Sequence, residues 1–228
     1  MEAITRYLRS IRNYYKKMKS KKSPQSLNRF SIRLGEICSK ERNVNPEVLR
    51  STIELAIQIS REGREGRKIG TLFTVGDEYN VLASSRTLIL DPLKGHPLHK
   101  KKIDDPNMRE TIKELAQLDG AFIISDSGNV LSAARYIDAD SKNIDLPLGL
   151  GSRHVAAASI TLYTNAVAVV VSESSIVRVL DDGKIIAEII PELWLIQRAS
   201  THIIDGKMEE IEEENIAIVS NKDKPKSK

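Results

Sequence analysis

The chain has 228 residues, of which 40% are hydrophobic and 29% charged, a composition typical of a soluble protein with a sizeable core. Its formal charge of +4, from 35 Lys and Arg against 31 Asp and Glu, does not by itself indicate nucleic-acid binding. The single cysteine, Cys38, excludes an internal disulfide framework, and no apolar run approaches the ~20 residues that span a bilayer, so we expect a cytoplasmic protein without an integral membrane segment.

The charge and apolar spacing of residues 1–44 predict a basic helical extension ahead of the main domain. Residues 1–22 hold eight Lys and Arg against one acid, with apolar residues at helical spacing. After the break at KKSPQS, a second short helix is predicted by four apolar residues at the same spacing, Leu27, Phe30, Leu34 and Ile37. We expect the apolar stripe of this extension to pack on the main domain or on a second subunit. A membrane-surface or nucleic-acid arm is the alternative.

Residues 45–204 predict an α/β domain with a mixed central sheet flanked by helices. Its first helix begins with Asn45 as N-cap, followed by proline, and ends at Gly63. IGTLFTV (69–75) is typical of a buried strand. GDEYN and VLASS, which follow, predict a hairpin turn and a return strand.

Two more helices and several strands complete the predicted domain. One helix begins at Asp105, and another spans about residues 152–163. AFIIS and VLSAARYI flank the turn DSGN and predict a hairpin, whereas AVAVVVS is apolar throughout, as in a strand covered on both faces. IVRVL and KIIAEII continue the sheet. Residues 205–228 predict a charged C-terminal tail.

GLGSRHVAAASIT (149–161) places Ser152, Arg153 and His154 at the start of a predicted helix. First-turn N–H groups carry partial positive charge, so a cation there indicates that an anion from outside binds at this end. The glycines allow a tight turn, and Ser152 either caps the helix or donates its hydroxyl to a phosphate. The alternative is a plain helix start with a surface Arg and a packed His, because short glycine motifs do not separate the two.

Two further sets of polar residues lie at the ends of predicted core strands. In LDGAFII, Asp119 precedes an apolar strand, where a carboxylate can bind a divalent metal or orient a hydroxyl. In VVVSES, Ser172 and Glu173 follow a core strand, where ligands of open α/β sheets bind. The alternatives are an Asp paired with a nearby basic residue and an ordinary strand-to-turn junction. Together with the helix start, these groups suit a nucleotide and a metal ion.

LDGAFII, GLGSRHVAAASIT and AVAVVVSES occur in an order and spacing that resemble the catalytic domain of diadenylate cyclases. The resemblance covers roughly residues 69–190. Members of this family join two ATP molecules into cyclic di-AMP, and their bacterial membrane-bound members carry transmembrane helices. Since this chain lacks such helices, the resemblance is to a soluble, archaeal-type member.

The resemblance implies roles for individual residues. The Asp-Gly-Ala motif of the family falls on residues 119–121, with Asp119 near the attacking ribose 3′-hydroxyl. Its Gly-Thr-Arg-His-Arg motif falls on residues 151–155, where Val155 replaces the second Arg and removes one cation. The implied catalytic residues are Asp119, Gly120, Ala121, Arg153 and His154. The implied ATP-binding residues are Tyr136, Ile137, Gly151, Ser152, Arg153, His154, Ser172 and Glu173.

The resemblance also implies the reaction and its requirements. Two ATP molecules condense to cyclic di-AMP and two pyrophosphates, with Mn²⁺ or Mg²⁺ held by Asp119 and His154. One monomer holds one ATP, so two monomers of a homo-oligomer face each other about a two-fold axis. One alternative is a non-catalytic ATP or cyclic di-AMP binding module of the same fold, which Val155 favours. The other is a nucleic-acid-binding protein that uses the basic N-terminal helix, and it ranks below both.

Overall fold

The computed structural model describes residues 24–138, 140, 142, 144–192 and 206–220. Within these ranges the helices are α1 (Pro24–Ile37), α2 (Pro46–Glu62), α3 (Glu78–Ala83), α4 (Pro106–Leu115) and α5 (Ser152–Tyr163), with 3-10 turns at Leu98–Lys100 and Glu212–Glu214. The strands are β1 (Thr71–Val75), β2 (Ser85–Thr87), β3 (Ala121–Ile124), β4 (Val130–Ile137), β5 (Val167–Val171), β6 (Val177–Asp181), β7 (Lys184–Ile190), β8 (Lys207–Ile211) and β9 (Ile216–Ser220). None of the described helices is long and apolar enough to cross a membrane.

The described strands form one mixed sheet in the order β2-β4-β3-β1-β5-β6-β7-β9-β8. The β1–β3 pair is parallel, and the other pairings are antiparallel. Helices cover both faces. Phe73 and Val75 of β1 pack into the core formed with α1, α2 and α4, whereas Leu72 packs into the core under α3 and α5. This arrangement confirms the predicted α/β fold with a mixed central sheet flanked by helices.

The helix starts and the central strands agree with the sequence. Asn45 Oδ1 accepts hydrogen bonds from Glu47 N and Val48 N, and Asp105 caps α4 in the same way. Every residue of β5 is buried, as its apolar run predicted. The short helix predicted around Leu34 is α1, which packs on the same core as α2. The prediction for residues 1–22 lies outside the described residues.

The return strand predicted after GDEYN is wrong. Gly76 and Asp77 both have positive φ, at 77° and 44°, and turn the chain out of β1. The next six residues form α3 instead of a strand. Both edges of β1 are already paired, with β3 on one side and β5 on the other, so no edge is open to a return strand.

The prediction that residues 205–228 form a charged tail is wrong for residues 207–220, which are part of the sheet. Residues 207–220 form the β8–β9 hairpin, and β9 pairs with β7, which extends the sheet by two strands. Ile216 and Ile218 bury their side chains in the core. The acidic side chains of β8 lie on an edge strand, where charge blocks pairing with other chains. A charged edge strand and a solvated tail have similar composition, which explains the error.

Candidate functional site

A cavity of about 330 Å³ lies between the first turns of α5 and the strands β1, β3 and β4. This volume lies within the range of pockets that hold one small organic ligand. Its lining is mostly apolar, with a few polar groups from the start of β3, from β4 and from α5. The lining residues are Leu72, Leu88, Asp119, Gly120, Ala121, Arg135, Tyr136, Ile137, Ser152, Arg153, Val155 and Ala156.

The cavity brings together residues that the sequence places in three separate segments. Seven of the predicted site residues line it, namely Asp119, Gly120, Ala121, Tyr136, Ile137, Ser152 and Arg153. Gly151, His154, Ser172 and Glu173 do not belong to the lining. The fold explains the convergence because β3 and β4 are hydrogen-bonded neighbours and α5 begins beside them.

Gly120 occupies a backbone position where any larger residue would be strained and would clash with β4. Its φ is +101°, and an added Cβ would lie 2.7 Å from Ala134 C and from Arg135 N. At this point β4 carries an irregularity in its register with β3, and Ala134 itself has a φ of 51°. The close contact of Gly120 with β4 therefore places Asp119 beside the strand residues that line the cavity.

The first turn of α5 presents N–H groups without a side-chain cap. The N-cap is Gly151, which has no side chain to accept from them, and Ser152 is the first helical residue. Of the two roles predicted for Ser152, capping is therefore excluded in this structure, and Ser152 lines the cavity. Free first-turn N–H groups and the helix dipole together favour an anion at this end.

Arg153 lies between two carboxylates that come from opposite sides of the site. Its Nη2 is 3.2 Å from Asp119 Oδ1, and its Nη1 is 3.6 Å from Glu173 Oε1. Gly70 allows the guanidinium to lie against the backbone, since a Cβ there would be 2.9 Å from Nη1. Glu173 thus joins the site through Arg153 without lining the cavity.

His154 is buried behind the helix start. Its Nε2 is 3.2 Å from Arg178 Nη1, and Arg178 Nε donates to Glu188 Oε1 at 2.7 Å. A guanidinium only donates, so Nε2 accepts, and the proton of the neutral ring is then on Nδ1. Neither ring nitrogen keeps a lone pair for a metal ion in this arrangement. The metal role predicted for His154 therefore does not fit the structure, and the residue instead connects the start of α5 to β6 and β7.

Ser172 lies in the turn between β5 and β6. Its backbone N–H donates to Ile176 O at 2.9 Å, and its Oγ is 2.8 Å from Ser174 Oγ. These contacts hold the turn itself. The role in ATP binding predicted for Ser172 stays a prediction.

Several lining residues were not singled out as binding residues by the sequence. Leu72 and Leu88 form apolar walls. Val155 and Ala156 of α5 also line the cavity. Arg135 is the charged residue in this group. The apolar–polar alternation of β4 does not reveal which face of the sheet the Arg135 side chain lies on, because an irregularity in β4 before Arg135 changes the strand register.

A divalent metal fits this site only together with a phosphorylated ligand. Among the described residues, no three or more His, Cys, Asp or Glu side chains cluster closely enough to hold a metal ion. Of the described residues that line the cavity, Asp119 alone carries a carboxylate, and its side chain is 82% exposed. Magnesium is commonly held by one or two carboxylates and substrate phosphates, so Asp119 can supply the protein ligand.

The fold and the cavity define an α/β protein with a cavity between a helix N-terminus and a strand-start carboxylate. Residues 58–185 match the family described as DisA bacterial checkpoint controller nucleotide-binding. This segment is more than half of the chain, and the chain belongs to this family.

Two archaeal relatives share extensive sequence with the chain, and both are named diadenylate cyclase. The protein of Methanocaldococcus jannaschii is 48% identical over 162 residues, which cover 71% of this chain and 51% of the relative. That of Haloferax volcanii is 42% identical over 151 residues, which cover 66% of this chain and 55% of the relative. The chain thus spans about half the length of these relatives. A crystal structure of DacA from Staphylococcus aureus is 22% identical, with a TM-score of 0.37 over 61% of this chain and 84% of that chain.

Proposed function

We propose that the chain is a diadenylate cyclase that condenses two ATP molecules into cyclic di-AMP and two pyrophosphates. The observation that carries this proposal is the convergence of two motif segments, residues 119–121 and 152–153, with residues 136–137 on one cavity of about 330 Å³. The names of the two archaeal relatives support the same reaction.

In this proposal the two ends of the cavity bind different parts of ATP. The N–H groups at the start of α5, the Ser152 hydroxyl and the Arg153 guanidinium hold the phosphates, because all three donate hydrogen bonds to oxygen. Tyr136 and Ile137 line the adenine side, where apolar and aromatic surface suits a flat base. His154 acts as a positioning residue because it lies behind the helix start.

The reaction joins the ribose of one nucleotide to the α-phosphate of the other. The 3′-hydroxyl oxygen forms a bond to the α-phosphorus, and the bond from that phosphorus to the bridging oxygen of pyrophosphate breaks. Asp119 accepts the hydroxyl proton, and pyrophosphate leaves with the bonding electrons. The same step, with the roles of the two nucleotides exchanged, closes the ring. Positioning of the reactants and neutralisation of their charge account for most of the catalysis of such a phosphoryl transfer.

A second copy of the chain supplies the second nucleotide. The cavity has room for one small ligand, yet the reaction needs two ATP molecules in opposite orientations. Asp119 is 82% exposed at the mouth, which suits contact with a nucleotide bound to a facing chain. A two-fold axis through the two mouths gives both sites the same geometry, as in most homodimers.

Mn²⁺ or Mg²⁺ would be held by Asp119 and the ATP phosphates, and it would neutralise charge on the departing pyrophosphate. His154 is left out of this ligand set for the reason given above.

The test is product formation from ATP with Mn²⁺ or Mg²⁺, followed by chromatography. We expect cyclic di-AMP and pyrophosphate from the unmodified chain, and at least a 100-fold lower rate from Asp119→Asn, in the range of a lost general base. Asp104→Asn is the matched control, because Asp104 is exposed and does not line the cavity. The proposal fails if neither metal supports product formation, or if Asp119→Asn and Asp104→Asn behave alike.

A binding module of the same fold is the second candidate. Val155 places an aliphatic side chain in the cavity wall where the related motif has a cation, which lowers the positive charge available to a triphosphate. ATP binding without product under either metal would favour this candidate. The nucleic-acid alternative rests on residues 1–22, outside the described residues.

A further inference from the structure

Arg135 is a cationic wall residue of the cavity that the proposed reaction has not used. It lies on β4 opposite Ala121 of β3, directly beside the strand start that carries Asp119. It is partly buried, so water screens its charge less than that of a surface arginine.

The guanidinium of Arg135 is held in place by neutral acceptors. Its Nε donates to Ser85 Oγ at 3.0 Å, and its Nη2 donates to Ser85 O at 2.7 Å and Leu82 O at 3.2 Å. The Ser85 hydroxyl is itself fixed, since it donates to Val81 O at 2.7 Å. These bonds use one edge of the guanidinium at the end of α3. Within the described part of the chain, Nη1 makes no hydrogen bond.

The two arginines of the cavity differ in how their charge is balanced. Arg153 has Asp119 and Glu173 within 3.6 Å. Arg135 forms no ion pair with any residue that the structure describes. A fixed, unneutralised guanidinium in a mostly apolar cavity favours an anionic group on the ligand, and its remaining N–H groups match phosphate oxygens.

We propose that Arg135 is a phosphate-binding residue of the nucleotide site, with Nη1 directed to the ligand while Nε and Nη2 hold the guanidinium in position. The identity of the ligand as ATP rests on the proposed function. Val155 lies in the same cavity and carries no charge, so Arg135 supplies positive charge there that α5 does not.

The test compares the binding of ATP and of adenosine by calorimetry, without any turnover. We expect Arg135→Gln to raise the Kd for ATP about 10- to 100-fold, the effect of losing a charge-assisted hydrogen bond, and to leave adenosine within about three-fold. Arg109→Gln is the matched control. Arg109 also donates to a backbone carbonyl, Ser51 O, but it lies on α4, which packs on the other face of the sheet.

A double variant separates the charge of Arg135 from its support of α3. Val155→Arg returns a guanidinium to the same cavity, so in the Arg135→Gln background we expect it to restore at least part of the ATP affinity without restoring the contacts that Arg135 makes to Leu82 and Ser85. If Arg135→Gln does not fold, as thermal unfolding would show, Arg135→Lys replaces it, and we expect selective weakening of ATP binding that is smaller than ten-fold.

The outcomes distinguish this inference from the proposed reaction. Equal weakening of ATP and adenosine, or unchanged ATP binding in a folded Arg135 variant, overturns the phosphate role. Selective loss of ATP affinity in a chain that makes no cyclic di-AMP keeps the phosphate role and rejects the cyclase. Tripolyphosphate should compete with ATP in the unmodified chain and at least ten-fold more weakly in the Arg135 variant.

Discussion

Removing the charge of Glu188 should destabilise the fold more than most single substitutions. The side chains of Arg178 and Glu188 are 3% and 1% exposed, and their Nε–Oε1 distance is 2.7 Å. Glu188→Gln removes the negative charge that lies 2.7 Å from the buried guanidinium of Arg178. Breaking a buried pair from one side costs about 3–5 kcal/mol, a large part of the roughly 5–15 kcal/mol that stabilises a typical domain.

Urea denaturation measures this effect through the free energy of unfolding extrapolated to water. We expect a loss of about 3–5 kcal/mol for Glu188→Gln. The matched control is Asp138→Asn, which breaks the ion pair between Arg86 and Asp138; the two atoms are 3.9 Å apart, and the side chains are 62% and 56% exposed. An exposed pair of this kind contributes about 0–1 kcal/mol. A loss below about 1 kcal/mol for Glu188→Gln would refute the reasoning from burial.

The double variant Arg178→Met/Glu188→Met tests the same reasoning in the other direction. Replacing both partners of a buried pair with apolar residues is often neutral or stabilising, so we expect it to be more stable than Glu188→Gln. His154 then loses the donor at Nε2. If His154 positions the start of α5, cyclic di-AMP formation should fall even though stability recovers. Additive losses in the double variant would show that the two charges do not compensate each other.

Three further substitutions or treatments follow from local contacts. Gly120→Ala should cost about 2–5 kcal/mol in a urea titration, from a positive φ and a 2.7 Å contact with β4, and an unchanged midpoint would mean that β4 moves away freely. Asn45→Ala should cost about 1 kcal/mol, because the side chain caps α2, and Asn45→Asp, which keeps an acceptor, should cost less. Burial raises the pKa of Cys38 to about 12, from an ordinary value near 9. Iodoacetamide at pH 8 should therefore modify Cys38 only in denatured protein, and rapid labelling of the native chain would contradict its burial. Because this pKa is raised on folding, its contribution to stability is complete below about pH 9 and declines as the pH rises towards 12.

The sequence predicts elements whose signals are local. The caps Asn45 and Asp105 appear as predicted because an N-cap depends only on the next three residues. The strand β5 was recognised because both of its faces are apolar. The segment after β1 was misassigned because its structure depends on which strand edges are free, and that is decided by β3 and β5 elsewhere in the chain.

The site shows the same division between local and distant causes. The motif segments around Asp119 and Arg153 could be found in the sequence, and the structure brings them to one cavity. A packed His154 was one of the two alternatives that the sequence left open, but its contact with Arg178, which pairs with Glu188, could not be predicted because these residues lie on two other strands. The place of Arg135 in the cavity could not be predicted for a related reason, since an irregularity in β4 decides on which face of the sheet its side chain lies.

The ion pairs of Arg153 explain how a cation at a helix start remains compatible with ligand binding. The Asp119 and Glu173 side chains are 82% and 73% exposed, and exposed pairs contribute only about 0–1 kcal/mol each. A charge-assisted hydrogen bond to phosphate contributes about 1.5–3 kcal/mol, and the N–H groups of α5 add to the same anion. On the proposed function, phosphate would therefore displace the carboxylates from Arg153 at little cost. The displaced Asp119 carboxylate, which accepts a hydrogen bond from Gly120 N, would then be available to the proton of a hydroxyl at the mouth of the cavity, as the proposed reaction requires.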